Sequence, residues 1–173
     1  MNDAAVAAAQ IGRPLRSPVD VAVRCHLDLP IVIRVPPILD EGTPFPTTFW
    51  LSCPLAVRRI GRLESAGGVR AMDRRSLADS EFGAALDAAH ERYRSDRDAL
   101  LAPGVKLAPS GGVAGAAAGV KCLHAHYADH AAGNENPVGA VTAPWVEPFD
   151  CVTGCVIEAE SGVDFNTRWV EPR

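Results

Sequence analysis

The sequence predicts an α+β fold in which a small N-terminal β-sheet packs against about three main helices within a single domain. β-branched residues crowd into two short runs near the start of the chain, whereas apolar residues recur at helical spacing beyond its first third. The length of 173 residues is typical of one domain, and neither an internal repeat nor a long linker divides it. We therefore expect one domain over residues 19–173, preceded by an N-terminal helical extension over residues 1–18.

The first predicted element is a short Ala-rich helix over residues 1–12. Asn2 or Asp3 can cap its N-terminus, and Gly12 can end it. Three strands are expected next, because β-branched and aromatic residues form runs that are bounded by turn residues. These runs cover residues 19–24, 31–35 and 47–52. The first two strands are expected to pair as a hairpin.

Three main helices are predicted over residues 54–66, 79–101 and 111–132. Pro54 suits the first turn of the first helix, where its missing N–H would have no partner, and Ser52 or Cys53 can cap that helix. The third helix begins with a glycine-rich half, and each glycine inside a helix costs about 1 kcal/mol relative to alanine. After Pro144 the chain is expected to be mostly irregular. Two late strands are expected over residues 155–159 and 164–170.

Composition and charge exclude several classes of protein. With 47% hydrophobic residues the chain can form a core, which excludes disorder, and no apolar stretch approaches the ~18 residues of a membrane span. The start of the sequence has no basic segment followed by a long apolar one, so a secretory leader is not expected. The net charge of -4 and the lack of aromatic residues among the arginines argue against nucleic acid as a partner.

Charge is unevenly distributed along the chain. Residues 58–75 hold six arginines, whereas residues 135–173 hold seven acidic residues. One end of the molecule is therefore expected to be basic and the other acidic. The arginines are typical of a helical face that is exposed to solvent. The alternative is that this face binds a partner protein or an anionic ligand.

Five cysteines lie at positions 25, 53, 122, 151 and 155. An odd and scattered set differs from the dense, paired cysteines of small secreted domains. It predicts reduced thiols, a cytoplasmic location and side chains that are available to a metal. Cys151 and Cys155 could pair oxidatively or bind metal, although two unreactive thiols are the simpler interpretation.

The densest group of potential metal ligands lies in the second half of the third predicted helix. On a regular helix Cys122, His126 and His130 form one stripe at successive i+4 positions, whereas His124 falls on the apolar face. One possible metal site is therefore local. In that site His126 and His130 bind side by side, with Cys122 or Asp129 nearby.

A second possible metal site joins the helix to the sheet. Its ligands would be Cys25, Cys53, Cys122 and either His124 or His126. Zinc takes about four nitrogen and sulfur ligands in tetrahedral geometry, so this mixed set suits zinc. An iron–sulfur cluster would instead use four thiolates. The candidates for those thiolates are Cys25, Cys53, Cys122 and Cys155.

Other interpretations need no metal. His124 can be a hydrogen-bonded core histidine, and the cysteines can be small buried hydrophobic residues. The protein would then be a metal-free protein-interaction or anion-binding module. Alternatively, Cys53 could be the nucleophile of a cysteine-dependent enzyme, because a helix N-terminus favours the thiolate and a histidine from the third helix could act as its base.

Four segments of the chain share a recognisable pattern: TPFPTTFWLSCP at 43–54, RLESAGG at 62–68, VKCLHAHY at 120–127 and NPVG at 136–139. Together they resemble the bacterial domain of unknown function 501 family, over residues 19–139. The resemblance implies an uncharacterised family whose genes often lie beside those of a septum-formation initiator protein and an exopolyphosphatase. It therefore implies a link to cell division or phosphate metabolism.

The resemblance also implies a set of site residues. The cysteine and histidine positions of the family pattern are occupied here by Cys25, Cys53, Cys122, His124 and His126. Residues 26–30 depart from the pattern, because an aromatic residue and a glycine are expected before the proline. We predict a cytoplasmic metal-binding protein that binds zinc, with an iron–sulfur cluster as the alternative cofactor, and we assign no catalytic residues.

Overall fold

The computed structural model describes residues 1–160 and 162–172, which form six helices and two small antiparallel sheets. The helices are α1 Asp3–Ile11, α2 Pro54–Ser65, α3 Gly68–Ala78, α4 Ser80–Asp98, α5 Leu123–Ala131 and α6 Pro137–Val146. The strands are β1 Asp20–Arg24, β2 Pro30–Arg34, β3 Phe49–Leu51, β4 Val156–Ala159 and β5 Gly162–Phe165. The α+β class is confirmed, but there are more helices than predicted, and the N-terminal sheet is one of two. Ser161 and Arg173, inside the predicted domain, lie outside the described residues.

The first sheet has β2 in its centre. Strand β1 pairs antiparallel with β2, and β2 with β3, so the predicted hairpin and the third strand are confirmed. Every residue of β2 except Arg34 is buried. Because successive side chains of a strand point to opposite faces, Val32 joins the main core and Ile33 joins a smaller cluster that includes Ala7 of α1. The sheet therefore separates two hydrophobic clusters.

Helices α1, α2 and α4 confirm three of the predicted helices. Asn2 caps α1 by accepting hydrogen bonds from two N–H groups of the first turn, and Gly12 ends it with a φ of 75°. Cys53 is the N-cap of α2, and Pro54 is its first residue. Asp79 caps α4. Side-chain caps therefore mark the starts of α1 and α4, and Pro54 marks the start of α2.

Helices α3 and α6 are absent from the sequence-based prediction. Gly67 takes a φ of 92° between α2 and α3, so the chain turns there and resumes a helix. Asn136 caps α6 by accepting from the N–H of Gly139 at 3.0 Å, and Pro137 occupies the first turn. A Cβ at Gly139 would lie 2.3 Å from the Cβ of His130, so this glycine allows α5 and α6 to pack closely.

The predicted helix over residues 111–132 is wrong in its first half, because only α5 is an α-helix. Residues 111–122 form a loop with one short 3₁₀ turn. Three of its glycines, among them Gly119 with a φ of 65°, take the left-handed backbone that glycine tolerates and that breaks a helix. The loop is held by His90 of α4, which accepts from the N–H of Val113 and donates to the carbonyl of Gly119.

The C-terminal part of the chain returns to the start of the fold. Strands β4 and β5 pair beside α1, which confirms the first late strand, whereas the second ends earlier than predicted. The arginine-rich and acidic segments meet instead of lying at opposite ends, since Arg59 contacts Asp150 at 3.4 Å and Arg62 pairs with Glu171. In the part of the chain that the structure describes, no helix is long and apolar enough to cross a membrane.

Candidate metal centre

The five predicted ligands lie in three separate places. Cys25 and Cys53 line a small pocket beside the first sheet. Cys122 and His124 face each other where α5 begins. His126 is fully buried in the core. The structure therefore brings Cys122 and His124 together but does not gather them with Cys25 and Cys53.

Glu64, near the end of α2, lies beside Cys122 and His124. These three potential metal ligands form what we call the three-ligand cluster. His124 Nδ1 lies 3.2 Å from Glu64 Oε1 and 3.8 Å from Cys122 Sγ. Over residues 1–160 and 162–172, no other group of three or more cysteine, histidine or acidic side chains has its ligand atoms within 4.8 Å of one another. Sequence reasoning missed Glu64, and its only signal is its position within the RLESAGG segment.

The N-terminus of α5 aims these side chains at one another. Cys122 is the N-cap, with an extended backbone (φ -159°, ψ 121°), so it precedes the helix and its sulfur faces the first turn. The predicted stripe, which separates Cys122 from His124, is therefore wrong. Glu64 Oε1 accepts from the N–H of Leu123 at 2.6 Å. A helix N-terminus stabilises such a carboxylate, because its first N–H groups lack partners within the helix.

The hydrogen bonds of His124 define which ring nitrogen can act as a ligand. Nε2 lies 3.1 Å from the carbonyl oxygen of Val57, which can only accept, so Nε2 carries a hydrogen and donates it. Nδ1 then faces a carboxylate and a sulfur. Partial burial lowers the pKa of His124, but the hydrogen bond to Cys122 and the charge of Glu64 outweigh burial and raise the pKa to about 9. The position beside Nδ1 therefore favours a proton or a metal cation.

An open groove leads to the three-ligand cluster. Its volume is about 410 Å³, within the range of ~300–1,000 Å³ that is usual for small-molecule sites. Its wall is mostly apolar and includes the aromatic rings of Phe45, Phe49 and Trp50. The side chains of Glu64 and His124 are 27% and 25% exposed. Solvent and small molecules can therefore reach the cluster.

His126 belongs to a different, buried network. Its Nδ1 donates to Asn136 Oδ1 at 3.1 Å, and Asn136 Nδ2 donates to Asp129 Oδ2 at 2.9 Å. Arg92 pairs with the buried Asp129 at 2.5 Å. Burial lowers the pKa of His126 to about 4, so the ring is neutral at neutral pH. These contacts favour a structural role, and among the described residues His126 and His130 share no three-ligand group.

Cys53 lies at a helix N-terminus, but its environment does not suit nucleophilic catalysis. Burial raises the pKa of its thiol to about 12, although the N–H groups of Ala56 and Leu55 lower it. The thiol is therefore protonated at neutral pH, whereas a nucleophilic cysteine must be a thiolate. Its pocket is lined by Cys151 and Cys155, and no histidine of α5 is among the described residues that line it.

A family model described as a protein of unknown function, DUF501, matches residues 21–144. The resemblance that the four sequence motifs indicate is thereby confirmed. Searches of curated proteins and of solved structures gave no match. The matched segment contains the whole three-ligand cluster and the His126 network, whereas Cys151 and Cys155 follow it.

Proposed function

The chain belongs to the DUF501 family of proteins of unknown function, and we propose that it binds zinc through Glu64, Cys122 and His124. The orientation of the His124 ring carries the proposal. Because Val57 occupies Nε2, Nδ1 is the ring nitrogen that is left for a cation, 3.2 Å from a carboxylate oxygen and 3.8 Å from a sulfur. Zinc would displace the proton that Nδ1 holds at neutral pH. Three electron-rich atoms at these distances are stabilised by a cation between them.

The donor atoms favour zinc over an iron–sulfur cluster. Thiolate, imidazole and carboxylate are the three ligand types that zinc uses in proteins. An iron–sulfur cluster is usually held by four thiolates, and the three-ligand cluster offers one. The partners around the ligands support the same choice. Metal-bound histidines typically donate their second N–H to a carbonyl, as His124 does to Val57.

The groove favours an accessible site over a closed structural one. Structural zinc sites use four protein ligands, whereas three protein ligands leave one position for water or a substrate. That position would face the groove, whose aromatic wall suits an apolar or aromatic small molecule. Zinc at such a position polarises a carbonyl or activates a water molecule. The cytoplasmic location and the link to cell division or phosphate metabolism stay predictions.

The contacts of three of the six arginines in segment 58–75 count against the anion-binding alternative. Arg59 bonds to backbone carbonyls, Arg62 pairs with Glu171, and the guanidinium of Arg58 stacks 4.8 Å from the centre of the Trp169 ring. These three side chains are thus used within the chain. They hold the C-terminal segment against α2.

Metal analysis of the chain without an affinity tag tests the proposal. Cys122→Ser and Glu64→Gln should each lose one equivalent of bound zinc in competition with a chelator. The loss of affinity should exceed the ~10- to 100-fold that removal of an outer partner costs, because a direct ligand is removed. Zinc titration of the purified variants measures both stoichiometry and affinity.

Glu91→Gln is the matched control. Glu91 is an exposed glutamate that pairs with Arg94 on α4, so this variant removes the same charge far from the cluster. It should bind zinc as the wild type does. The proposal is wrong if Cys122→Ser and Glu64→Gln keep the stoichiometry and affinity of the wild type.

A further inference from the structure

Four of the five cysteines line one small pocket, which we call the four-cysteine pocket. It lies between the first sheet, the start of α2 and the segment that leads into β4. The four residues are Cys25, Cys53, Cys151 and Cys155. The pocket has a volume of about 20 Å³, which is room for one water-sized atom. Three separate segments of the chain bring these thiols together. The remaining cysteine, Cys122, belongs to the three-ligand cluster.

Two buried polar side chains with incomplete hydrogen bonding line the same pocket. Gln10 is 9% exposed, its Nε2 donates to Cys155 Sγ at 3.4 Å, and its Oε1 has no partner among the described residues. Trp169 is 7% exposed, and its buried Nε1–H has no partner in the part of the chain that the structure describes. Folded proteins pair nearly all of their buried polar groups. The N–H of Trp169, at a pocket lined by thiols, therefore points to a bound acceptor such as a thiolate.

We propose that the four cysteines of this pocket form a second metal site, which binds one zinc ion as four thiolates. Sites with four cysteine ligands are the closed, structural kind of zinc site. Each thiol gives its proton to solvent as its zinc–sulfur bond forms, and no atom changes oxidation state. Gln10 already donates to the sulfur of Cys155, and Trp169, which lines the same pocket, would supply a second N–H donor, as outer partners of metal sites do.

The backbone around the cysteines is already tied into the fold. The N–H of Cys25 donates to the carbonyl of Leu29 at 2.9 Å across a tight turn. The ring of His26, in that turn, lies 3.0 Å from the carbonyl oxygen of Cys151, which joins two of the ligand segments. Cys53 is fixed as the N-cap of α2. These contacts position the ligands before a metal binds.

Coordination requires the sulfurs to come closer together. No three of the four lie within 4.8 Å of one another, whereas zinc–sulfur bonds are about 2.3 Å long. Cys25 and Cys151 are half-buried and lie outside helices and strands, so rotation about their Cα–Cβ bonds can turn the sulfurs inward. Zinc should therefore change the accessibility of these two thiols.

Zinc stoichiometry in paired variants tests the second site. The reduced, tag-free chain should bind two equivalents of zinc, and the double variant Cys151→Ser, Cys155→Ser should bind one fewer. Cys122→Ser is the matched control, because it removes a thiol from the three-ligand cluster alone. In the Cys122→Ser chain, cobalt in place of zinc should give the intense charge-transfer absorption of a four-thiolate site. The double variant should lack this absorption.

These outcomes separate the two metal proposals. If Cys122→Ser keeps all of the zinc of the wild type while the double variant loses one equivalent, the second site is supported and the three-ligand cluster is not. If the double variant binds as much zinc as the wild type, with the same cobalt spectrum, the second site is wrong.

A measurement on the wild-type chain keeps the test independent of whether the variants fold. Zinc should protect Cys25 and Cys151 from alkylation, and a chelator should restore their labelling, as read by mass spectrometry. Equal labelling with and without zinc would overturn the proposal. So would a disulfide among the four cysteines of the chain isolated under reducing conditions, or an iron–sulfur absorption spectrum.

Discussion

His124 and His126 lie two positions apart on α5 but in opposite electrostatic environments. Burial lowers the pKa of both rings, and only His124 has a carboxylate and a sulfur beside it that reverse this effect. The pKa of His124 is therefore raised to about 9, and that of His126 is lowered to about 4. At neutral pH the ring of His124 is therefore protonated, whereas the ring of His126, two residues later on the same helix, is neutral.

The neutral, buried ring of His126 predicts a loss of stability in acid. In the unfolded chain the ring binds a proton near its ordinary pKa of 6.5, whereas the folded chain excludes that proton until pH 4 or so. His126 therefore contributes stability above pH 6.5 that is lost as the pH falls towards 4, up to about 3 kcal/mol. Chemical denaturation at a series of pH values, with a chelator present, measures this loss.

His126→Asn should make the acid side of that profile shallower. His124→Gln is the control with the opposite sign. The raised pKa of His124 contributes stability that is complete below pH 6.5 and is lost as the pH rises through about 9, so this variant changes the alkaline side. An acid slope that is identical in the wild type and in His126→Asn would contradict the assignment of a neutral ring.

The ligands of the three-ligand cluster differ in how far the sequence predicts them. Cys122 and His124 are close in the chain, so a local motif is enough to pair them. Glu64 reaches them only because α2 packs against α5, and no local pattern encodes that contact. Helical periodicity places Cys122 wrongly, because an N-cap residue does not follow the angles of the helix that it precedes.

Helices α5 and α6 pack against each other, and their closeness depends on one glycine. A Cβ at Gly139 would lie 2.3 Å from the Cβ of His130 and 2.4 Å from the carbonyl oxygen of His126. Both contacts are shorter than real Cβ atoms make. One of them is to backbone, so side-chain rotation alone cannot relieve it. The pairing therefore tolerates no side chain at this position without moving a helix.

Gly139→Ala should destabilise the protein by about 1–3 kcal/mol, the usual cost of overpacking a core. Gly61→Ala is the control, because Gly61 lies within α2 and a Cβ there would meet nothing within 4 Å. The control should gain up to about 1 kcal/mol from helix propensity. Thermal or denaturant unfolding compares the two variants. Equal stability would show that the α5–α6 contact is looser than described.

Elements with strong local signals are those that the sequence predicts correctly. The strands carry β-branched runs, and α1, α2 and α4 carry caps and apolar stripes. The glycine-rich segment 111–119 misleads, because its alanines favour a helix while several of its glycines take left-handed backbone. That conformation is held by His90 from another helix, which is a tertiary contact. By contrast, Asn136 and Pro137 are a local start signal for α6 that sequence reasoning overlooked.

At the scale of the whole molecule, Arg59 joins α2 to the C-terminal segment. Its Nη1 donates to the carbonyls of Val146 and Pro148, both at 2.7 Å, and the guanidinium also contacts Asp150. Arg62, one turn later, pairs with Glu171. The side chain of Arg59 is 13% exposed, whereas that of Arg62 is 62% exposed. Solvent therefore screens the ion pair of Arg62 more strongly than the contacts of Arg59.

Arg59→Ala should lower the free energy of unfolding by about 1.5–3 kcal/mol, because it removes two hydrogen bonds from a charged donor whose side chain is mostly buried. Arg62→Ala is the matched control and should cost at most about 1 kcal/mol, as exposed ion pairs do. Denaturant unfolding of both variants tests this order. A larger loss in Arg62→Ala would mean that the exposed pair, not Arg59, holds the segment in place.

The hydrogen bond between Gln10 and Cys155 spans 145 positions of the chain and has a consequence for the order of synthesis. Chains leave the ribosome N-terminus first. The three-ligand cluster is complete when α5 has been made, but the four-cysteine pocket is not closed until Cys155 follows. An ion held by those four thiols would therefore arrive only after Cys155 has been made, whereas the residues of the first site are all present earlier in synthesis.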